Sequence, residues 1–215
     1  MLNEKIIQLK KRFVEYADLL EDVLQKVYSG LCLREDHLLR EVIDIDEPMV
    51  NDMEIEIDDF CLGIIAQFQP KAKSLRTIMM ISKINNDFER IGDQAVNVAE
   101  SSLYLLSHES FLMLVDFSTV LNQIIRMYGD SVQSFIQEDA DLARKVMEQD
   151  EIVDCFNRDV YHKLKGEMQE DPKLVSPALQ VIRIARNFER MADHITNIAE
   201  DVVYVVEGKV CKRKA

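Results

Sequence analysis

A chain of 215 residues with a 47% hydrophobic fraction can bury one substantial core or two small ones. Its formal net charge of −13 excludes the basic surface that nucleic acid requires, while cations and proteins are compatible with it. Six glycines and four prolines are few for this length, and apolar residues recur at helical rather than alternating steps, which predicts an all-α fold.

The first helix is predicted over residues 3–29, with Leu9, Phe13, Ala17, Leu20, Leu24 and Val27 on one stripe. The second spans 36–68, with a stripe of Val50, Met53, Ile57, Cys61, Ile64 and Phe68, and the third spans 72–107, with Ile84, Phe88, Ile91, Ala95, Val98 and Ser102. Three more follow. The helix at 110–138 carries Leu114, Leu121, Ile125, Tyr128, Val132 and Phe135 or Ile136. The helix at 139–169 carries Val153, Phe156, Val160 and Leu164, and the helix at 174–207 carries Ile184, Phe188, Met191, Ile195, Ile198 and Val202. Short connections make successive helices antiparallel. The prediction is six helices in two tandem three-helix bundles, residues 1–107 and 108–215.

The second bundle repeats the first. Residues 84–104 read INNDFERIGDQAVNVAESSLY and residues 184–204 read IARNFERMADHITNIAEDVVY, with both apolar and polar identities at an offset of one hundred. Helical propensity alone does not reproduce polar residues at one register, so duplication is the simpler account. The preceding helices match at an offset of 103, through Asp36/Asp139, Leu39/Leu142, Glu47/Asp150, Val50/Val153 and Asn51/Asp154. A longer second connection, around 168–177, is the expected cause of the change in offset.

At about 100° per residue, Glu89, Asp93, Asn97 and Glu100 project away from the core stripe, and Glu189, Asp193, Asn197 and Glu200 do the same. Like charges at i,i+4 cost about 0.2–0.5 kcal/mol per pair, and no Lys or Arg stands four residues along to relieve them. One reading is a solvated acidic face, eased by Arg90 and Arg190 at i,i+3. The other, favoured by recurrence of the ladder at one register, is half of a metal site, because oxygen clusters suit hard or borderline cations. The second helix of each repeat supplies the other half, from Glu47, Asn51 and Glu54 in the first copy and Asp150 and Asp154, beside Asn157, in the second. The first site is expected to be weaker, since Asn51 replaces a carboxylate and Pro48 disturbs the helix beside Glu47.

Cys32, Cys61, Cys155 and Cys211 lack C-x-x-C spacing, and Cys61 and Cys155 are expected to be buried thiols. His194 leans toward a bundle flank and is expected to make a helix-to-helix hydrogen bond rather than ligate metal. The ten methionines read as packing. No apolar run approaches the roughly 18 residues of a membrane span and no signal pattern opens the chain. Direct membrane insertion is therefore not expected, and a cytoplasmic location is.

The motifs ERIGD (89–93) and ERMAD (189–193), each followed by NVAE (97–100) or NIAE (197–200), together with QP at 69–70, LR at 75–76, DLARKV (141–146) and VYVVEGK (203–209), closely resemble the PhoU family. The resemblance covers nearly the whole chain. It implies a duplicated three-helix-bundle fold whose paired acid-x-x-x-Asp motifs bind multinuclear metal clusters, often iron, with zinc, manganese or other divalent ions as alternatives. It also implies a homodimeric, non-catalytic negative regulator of phosphate uptake. Such a regulator restrains the phosphate-specific ABC transporter through its ATPase subunit, holds a membrane sensor histidine kinase in its signal-off state, and associates with the membrane through these partners. The chain departs from the family pattern at Pro48, Asn51 and Ser74.

Two other classes compete. One is a helical scaffold whose acidic ladders only solubilise it. The other is a carboxylate-bridged di-iron oxidase, which uses inward Glu-x-x-His steps. The positions three after Glu89 and Glu189 are Gly92 and Ala192, and the ladders turn outward. There is also no glycine-rich phosphate loop.

Overall fold

A computed structural model describes residues 1–107 and 115–208. They form α1 (Leu2–Cys32), α2 (Asp36–Glu41), a π turn (Val42–Asp46), α3 (Glu47–Phe68), α4 (Ala72–Leu106), α5 (Ser118–Gln137), α6 (Ala140–Glu170), a 3₁₀ turn (Pro172–Leu174) and α7 (Val175–Glu207). Among the described residues there is no strand, and no helix is long and apolar enough to cross a membrane. With α2, the π turn and α3 counted as one interrupted rod, the order is three helices and their three copies. The expectations for Leu114 and Cys211 lie outside the described residues.

The elements start and stop for local reasons. The helix predicted from residue 110 begins, where described, only at Ser118. There the Asp116 carboxylate accepts from the Ser118 amide at 2.9 Å and its hydroxyl at 2.7 Å. Asp139 caps α6 by accepting from the Asp141 and Leu142 amides. Gln69 and Glu138 end α3 and α5 in the left-handed conformation, at φ 46° and 54°. Pro48 offers no amide to the Asp44 carbonyl, and the helix accommodates it with the π turn, in which the Glu47 amide bonds to the Val42 carbonyl. That turn directs Asp46 inward, where both of its oxygens accept from Lys26 of α1 at 2.9 Å.

The second connection is longer by one residue, 171–174 against 69–71, but this does not cause the change in offset, which requires a shorter second half. α6 runs on to Glu170 and a single 3₁₀ turn stands where α4 has already begun its first turn, so the second half is three residues shorter between matched positions.

The third-helix stripes are buried as predicted, Ile84 to Ser102 on α4 and Ile184 to Val202 on α7, as is the α1 stripe. On α5 the buried line runs through Val120, Leu121, Ile124, Met127 and Tyr128. Ile125 and Val132 are only half-buried and Ile136 is exposed, while α5 packs against α1, α6 and α7. Cys61 is buried, whereas Cys155 is exposed, turned toward Glu151 on its own helix. Met127 and Met191 are core residues, but Met49 and Met79 are about half exposed.

Both repeats contribute to one continuous core. Phe13 stacks on Phe88 with centroids 5.1 Å apart, and Phe117 meets Phe188 edge-on at 5.9 Å, the same pairing in each half. Phe13 also packs on Phe135, and the buried Tyr128 hydroxyl donates to the Ala17 carbonyl at 2.9 Å, so α5 is locked onto α1.

The third helices lie antiparallel. Lys83 of α4 pairs with Asp201 of α7, and Arg183 of α7 donates to Asn97 at 2.7 Å and Glu100 at 3.2 Å on α4. Lys83 and Arg183 are repeat equivalents, so each helix lends its basic residue to the other's acidic end. Between these bridges His194 Nδ1 lies 2.9 Å from Asp87 Oδ1, the helix-to-helix bond expected of that histidine.

Packing density distinguishes two glycines. A Cβ on Gly30 would stand 2.4 Å from Leu39 Cγ and Cδ2, whereas one on Gly63 meets nothing within 4 Å. Gly30→Ala should therefore destabilise the chain by about 1–3 kcal/mol through overpacking. Gly63→Ala should stabilise it by up to about 1 kcal/mol through helix propensity. Urea denaturation of the two variants checks both signs.

Candidate metal centre

Each third helix presents its acid-x-x-x-Asp step to the second helix of its own repeat. In the first half, Asn85 of α4 donates to the Glu54 carbonyl at 2.8 Å and Ser82 donates to Asp58 at 2.8 Å, which fixes the register of α3 against α4. That register brings the Glu54 carboxylate within electrostatic reach of Glu89, beside Asp93. In the second half, Asn157 of α6 hydrogen-bonds Glu189 of α7, and the charges of Asp154 and Asp193 act on the same carboxylate.

Matched by the offset of 103, Asn51 corresponds to Asp154 and Glu54 to Asn157. The acid and the amide have exchanged places one turn apart. Each seam therefore has the same donor types, three carboxylates and one amide: Asn51, Glu54, Glu89 and Asp93 in one, Asp154, Asn157, Glu189 and Asp193 in the other. Of the two reasons for expecting a weaker first site, the one resting on Asn51 is offset, because Glu54 supplies the carboxylate that Asn51 lacks. Asn51 itself is exposed and Glu54 is half-buried.

The rest of the predicted ladder is distributed differently. The Asn97 amide donates to the Asp93 carbonyl at 2.8 Å, and its oxygen, like that of Glu100, is held by Arg183. These two residues serve the α4–α7 contact. Asn197 turns to the same contact, its amide 3.4 Å from Asp87, and Glu200 adds its charge to the surroundings of Asp201 there. Glu47 sits half-buried beside the π turn, and Asp150 is fully buried one helical turn before Asp154. A ladder predicted from one helix thus divides between two neighbours: its N-terminal step faces the second helix of the repeat, and its C-terminal step faces the other repeat.

Among the described residues, no group of three or more His, Cys, Asp or Glu side chains stands at metal-holding separation. The donor chemistry nevertheless fits a hard cation, and buried polar atoms without a hydrogen bond on and around the first seam include Glu89 Oε2, Asn85 Oδ1 and the Tyr16 hydroxyl. Arg90 Nε is 3.3 Å from that Glu89 oxygen, an ion-pair distance without hydrogen-bond alignment, and its Nη1 is 3.2 Å from Asp93. Tyr16 was hidden in the sequence by its place in the apolar series of α1. Arg186 was missed as the cation that eases Glu189. Nor does Gly92 leave room for a further ligand, since a Cβ there would lie 2.8 Å from Val50 Cγ1.

Burial raises the pKa of Glu89 above the ordinary glutamate value, with Asp93 and then Glu54 adding to it against Arg90. Glu189 is raised in the same way, by burial first and then by Asp154 and Asp193. A carboxyl whose folded pKa is raised contributes stability below its unfolded pKa and loses it as pH rises through the folded value. Glu89→Gln and Glu189→Gln should each raise the metal-free melting temperature at pH 7, by the equivalent of about 0.2–0.5 kcal/mol per like-charge pair relieved. The gain should vanish at pH 4, and a thermal melt at the two pH values reads the difference.

The chain matches the PhoU domain family twice, over residues 13–102 and 117–202. It is 35% identical to the phosphate-specific transport system accessory protein PhoU homolog of Aquifex aeolicus, over 99% of this chain and 96% of that protein. It is 30% identical to the accessory protein PhoU of Escherichia coli, over 96% of this chain and 86% of that one. The crystal structure of PhoU from Pseudomonas aeruginosa superposes with a TM-score of 0.91 at 32% identity, covering 97% of this chain and all of the other. The phosphate transport system regulatory protein PhoU from Streptococcus pneumoniae shares the fold, with a TM-score of 0.89 at 21% identity. Matched across both repeats, with relatives aligned along nearly their full length, the chain belongs to the PhoU family.

Proposed function

We propose that this chain is a non-catalytic, cytoplasmic regulator of a phosphate-specific transport system, acting as a metal-binding homodimeric adaptor. The observation that carries the reading is its alignment, through both repeats, with accessory proteins of that system. The partners are the ATPase subunit of the phosphate transporter and a membrane sensor histidine kinase. Regulation works by contact. A bundle face docks on each partner over an area of about 1,200–2,000 Å² and restrains it by binding its inactive state more tightly. Each tenfold preference is about 1.4 kcal/mol of shift, and no preference means no regulation.

Glu54, Glu89 and Asp93 would hold one cation site or cluster, with Asn51 at its edge, and Asp154, Glu189 and Asp193, with Asn157, would hold the other. A bound multivalent cation such as iron, manganese or zinc supplies charge neutralisation to carboxylates that repel one another when alone. The chain's own part is to present acids from two helices along one seam. A second reading, a regulator without functional metal, draws support from the lack of any assembled three-donor group among the described residues.

Two measurements decide between these readings. Added Mn²⁺, Zn²⁺ or Fe³⁺ should raise the melting temperature, and Glu189→Ala with Asp193→Ala should remove most of the contribution of the second site. An unchanged ion-induced rise in that double variant rejects the site assignment. For the regulatory role, the tagged chain should co-purify with the transporter ATPase or the sensor kinase at micromolar concentrations, and capture of neither counts against the adaptor.

A further inference from the structure

The outward faces of α3 and α6 are repeat equivalents with different chemistry. Residues seven apart on a helix fall within about 20° of one line. On α3 that line is Pro48, Ile55 and Leu62, all exposed, with Ile55 58% and Leu62 62% open to solvent. On α6 the matched line is Glu151, Arg158 and Lys165, and Arg158 donates to Glu151 at 2.6 Å. Beside the α3 line stand Asp52 and Asp59, also exposed and without an ion pair among the described residues, while Glu56 is held by Arg12 of α1 at 3.1 Å. α3 holds six acids and no Lys, Arg or His, whereas α6 holds five Lys and Arg alongside eight acids. The second repeat thus closes this line with ion pairs, and the first leaves it apolar with an acidic border.

We propose that this face of α3 docks a basic amphipathic helix of a partner protein, which lays apolar residues on Ile55 and Leu62 and sets Lys or Arg against Asp52 and Asp59. Single exposed apolar residues need no explanation, but an aligned series with a polar border marks an interaction surface. From Pro48 to Leu62 the line is about 21 Å long, which matches roughly four turns of a docked helix read at i, i+3, i+4 and i+7. Beside Leu62, a Cβ on Gly63 would meet nothing within 4 Å, so a partner backbone can approach closely there. Charge selects the occupant. Nucleic acid and anionic lipid are repelled by a helix whose charged residues are all acids. A second copy meeting α3 with its own α3 across a two-fold axis sets like charges opposite one another. A basic helix gains from both the apolar line and its border. Segments beside membrane spans on the cytoplasmic side are rich in Lys and Arg, so the membrane sensor kinase named above offers such a helix. That last step rests on the regulatory reading, and the binding itself rests neither on it nor on metal.

The test uses the isotope-labelled full chain and a synthetic helix of about 18 Leu and Lys residues with leucines at amphipathic spacing, beside a scrambled peptide of identical composition. The amphipathic peptide should bind at micromolar concentrations, lose affinity as salt rises, and shift the amide signals of residues 45–66 most. The scrambled peptide should bind about tenfold more weakly or worse. Ile55→Arg with Leu62→Lys installs the residue types that α6 carries at these places, and should weaken binding about tenfold or more without lowering the melting temperature, since both positions are exposed. Asp52→Asn with Asp59→Asn tests the same face without adding charge, and should weaken binding and flatten its salt dependence. Ile152→Arg, half exposed on α6, should leave affinity unchanged. Equal binding of the scrambled peptide, signal shifts centred on α6, or unchanged affinity in both α3 variants overturns the docking face. So does altered sedimentation of either α3 variant without peptide, which assigns the face to a second copy of the chain. None of these readouts involves the transporter ATPase or the kinase, so failure here is distinct from failure of the regulatory reading.

Discussion

The antiparallel contact between α4 and α7 is the constraint on which the other packing decisions depend. Each of these helices must bury an apolar stripe in its own repeat and also meet its duplicate, so little of its circumference is left for solvent. The bridges across the contact, Lys83 to Asp201 and Arg183 to Asn97 and Glu100, are partly exposed and individually weak. Their effect is on register. A slide by one helical turn would separate both bridges and the Asp87–His194 bond together, while the apolar stripes would still find apolar neighbours. Strength comes from the shared core, in which Tyr128 and Phe135 of one repeat lock onto α1 of the other.

Once α4 and α7 are fixed on one another, the position of the acids follows. The C-terminal part of each ladder turns to the opposite third helix and is engaged there. The N-terminal part, Glu89 with Asp93 and Glu189 with Asp193, is left on the flank that faces the second helix of the same repeat. In that place the carboxylates are partly desolvated and near further acids, which is why Glu89 and Glu189 resist ionisation although arginines stand close by. Solvated surface acids do not show this pattern. A face that served only solubility would keep its glutamates in water, where repulsion is screened.

How much was legible in the sequence depended on whether a feature belongs to one helix or to a pair. The stripes through Phe88 and Phe188 were readable because burial in a helix repeats every 3.6 residues and needs no knowledge of the partner. The bond from His194 could be anticipated for the same reason, its angular position marking a flank. The division of the ladder could not be read, since Glu89 and Glu100 look alike until the neighbours are known. Cys155 failed for a related reason: it lies at the margin of its stripe, where the next helix decides burial. The π turn is a tertiary solution to Pro48, coupled to Lys26 from another helix. Tyr16 was invisible because its ring obeys the core pattern and only its oxygen departs from it.

Comparison of the halves shows what duplication conserved and what it released. Asn51 and Glu54 against Asp154 and Asn157 keep the types of donor while exchanging their order along the helix. The exchange moves a carboxylate by three residues, about 4.5 Å along the axis. On the metal reading proposed above, such an exchange fits a seam in which the acid steps of α4 and α7 are the fixed part and the facing helix completes the set from either of two positions. The invariant part of each seam is then the third helix, which the α4–α7 contact immobilises, and the variable part is the second helix, which carries the π turn in one repeat and none in the other. Divergence has accumulated on the second helix of each repeat, the side of the seam that does not take part in the α4–α7 contact.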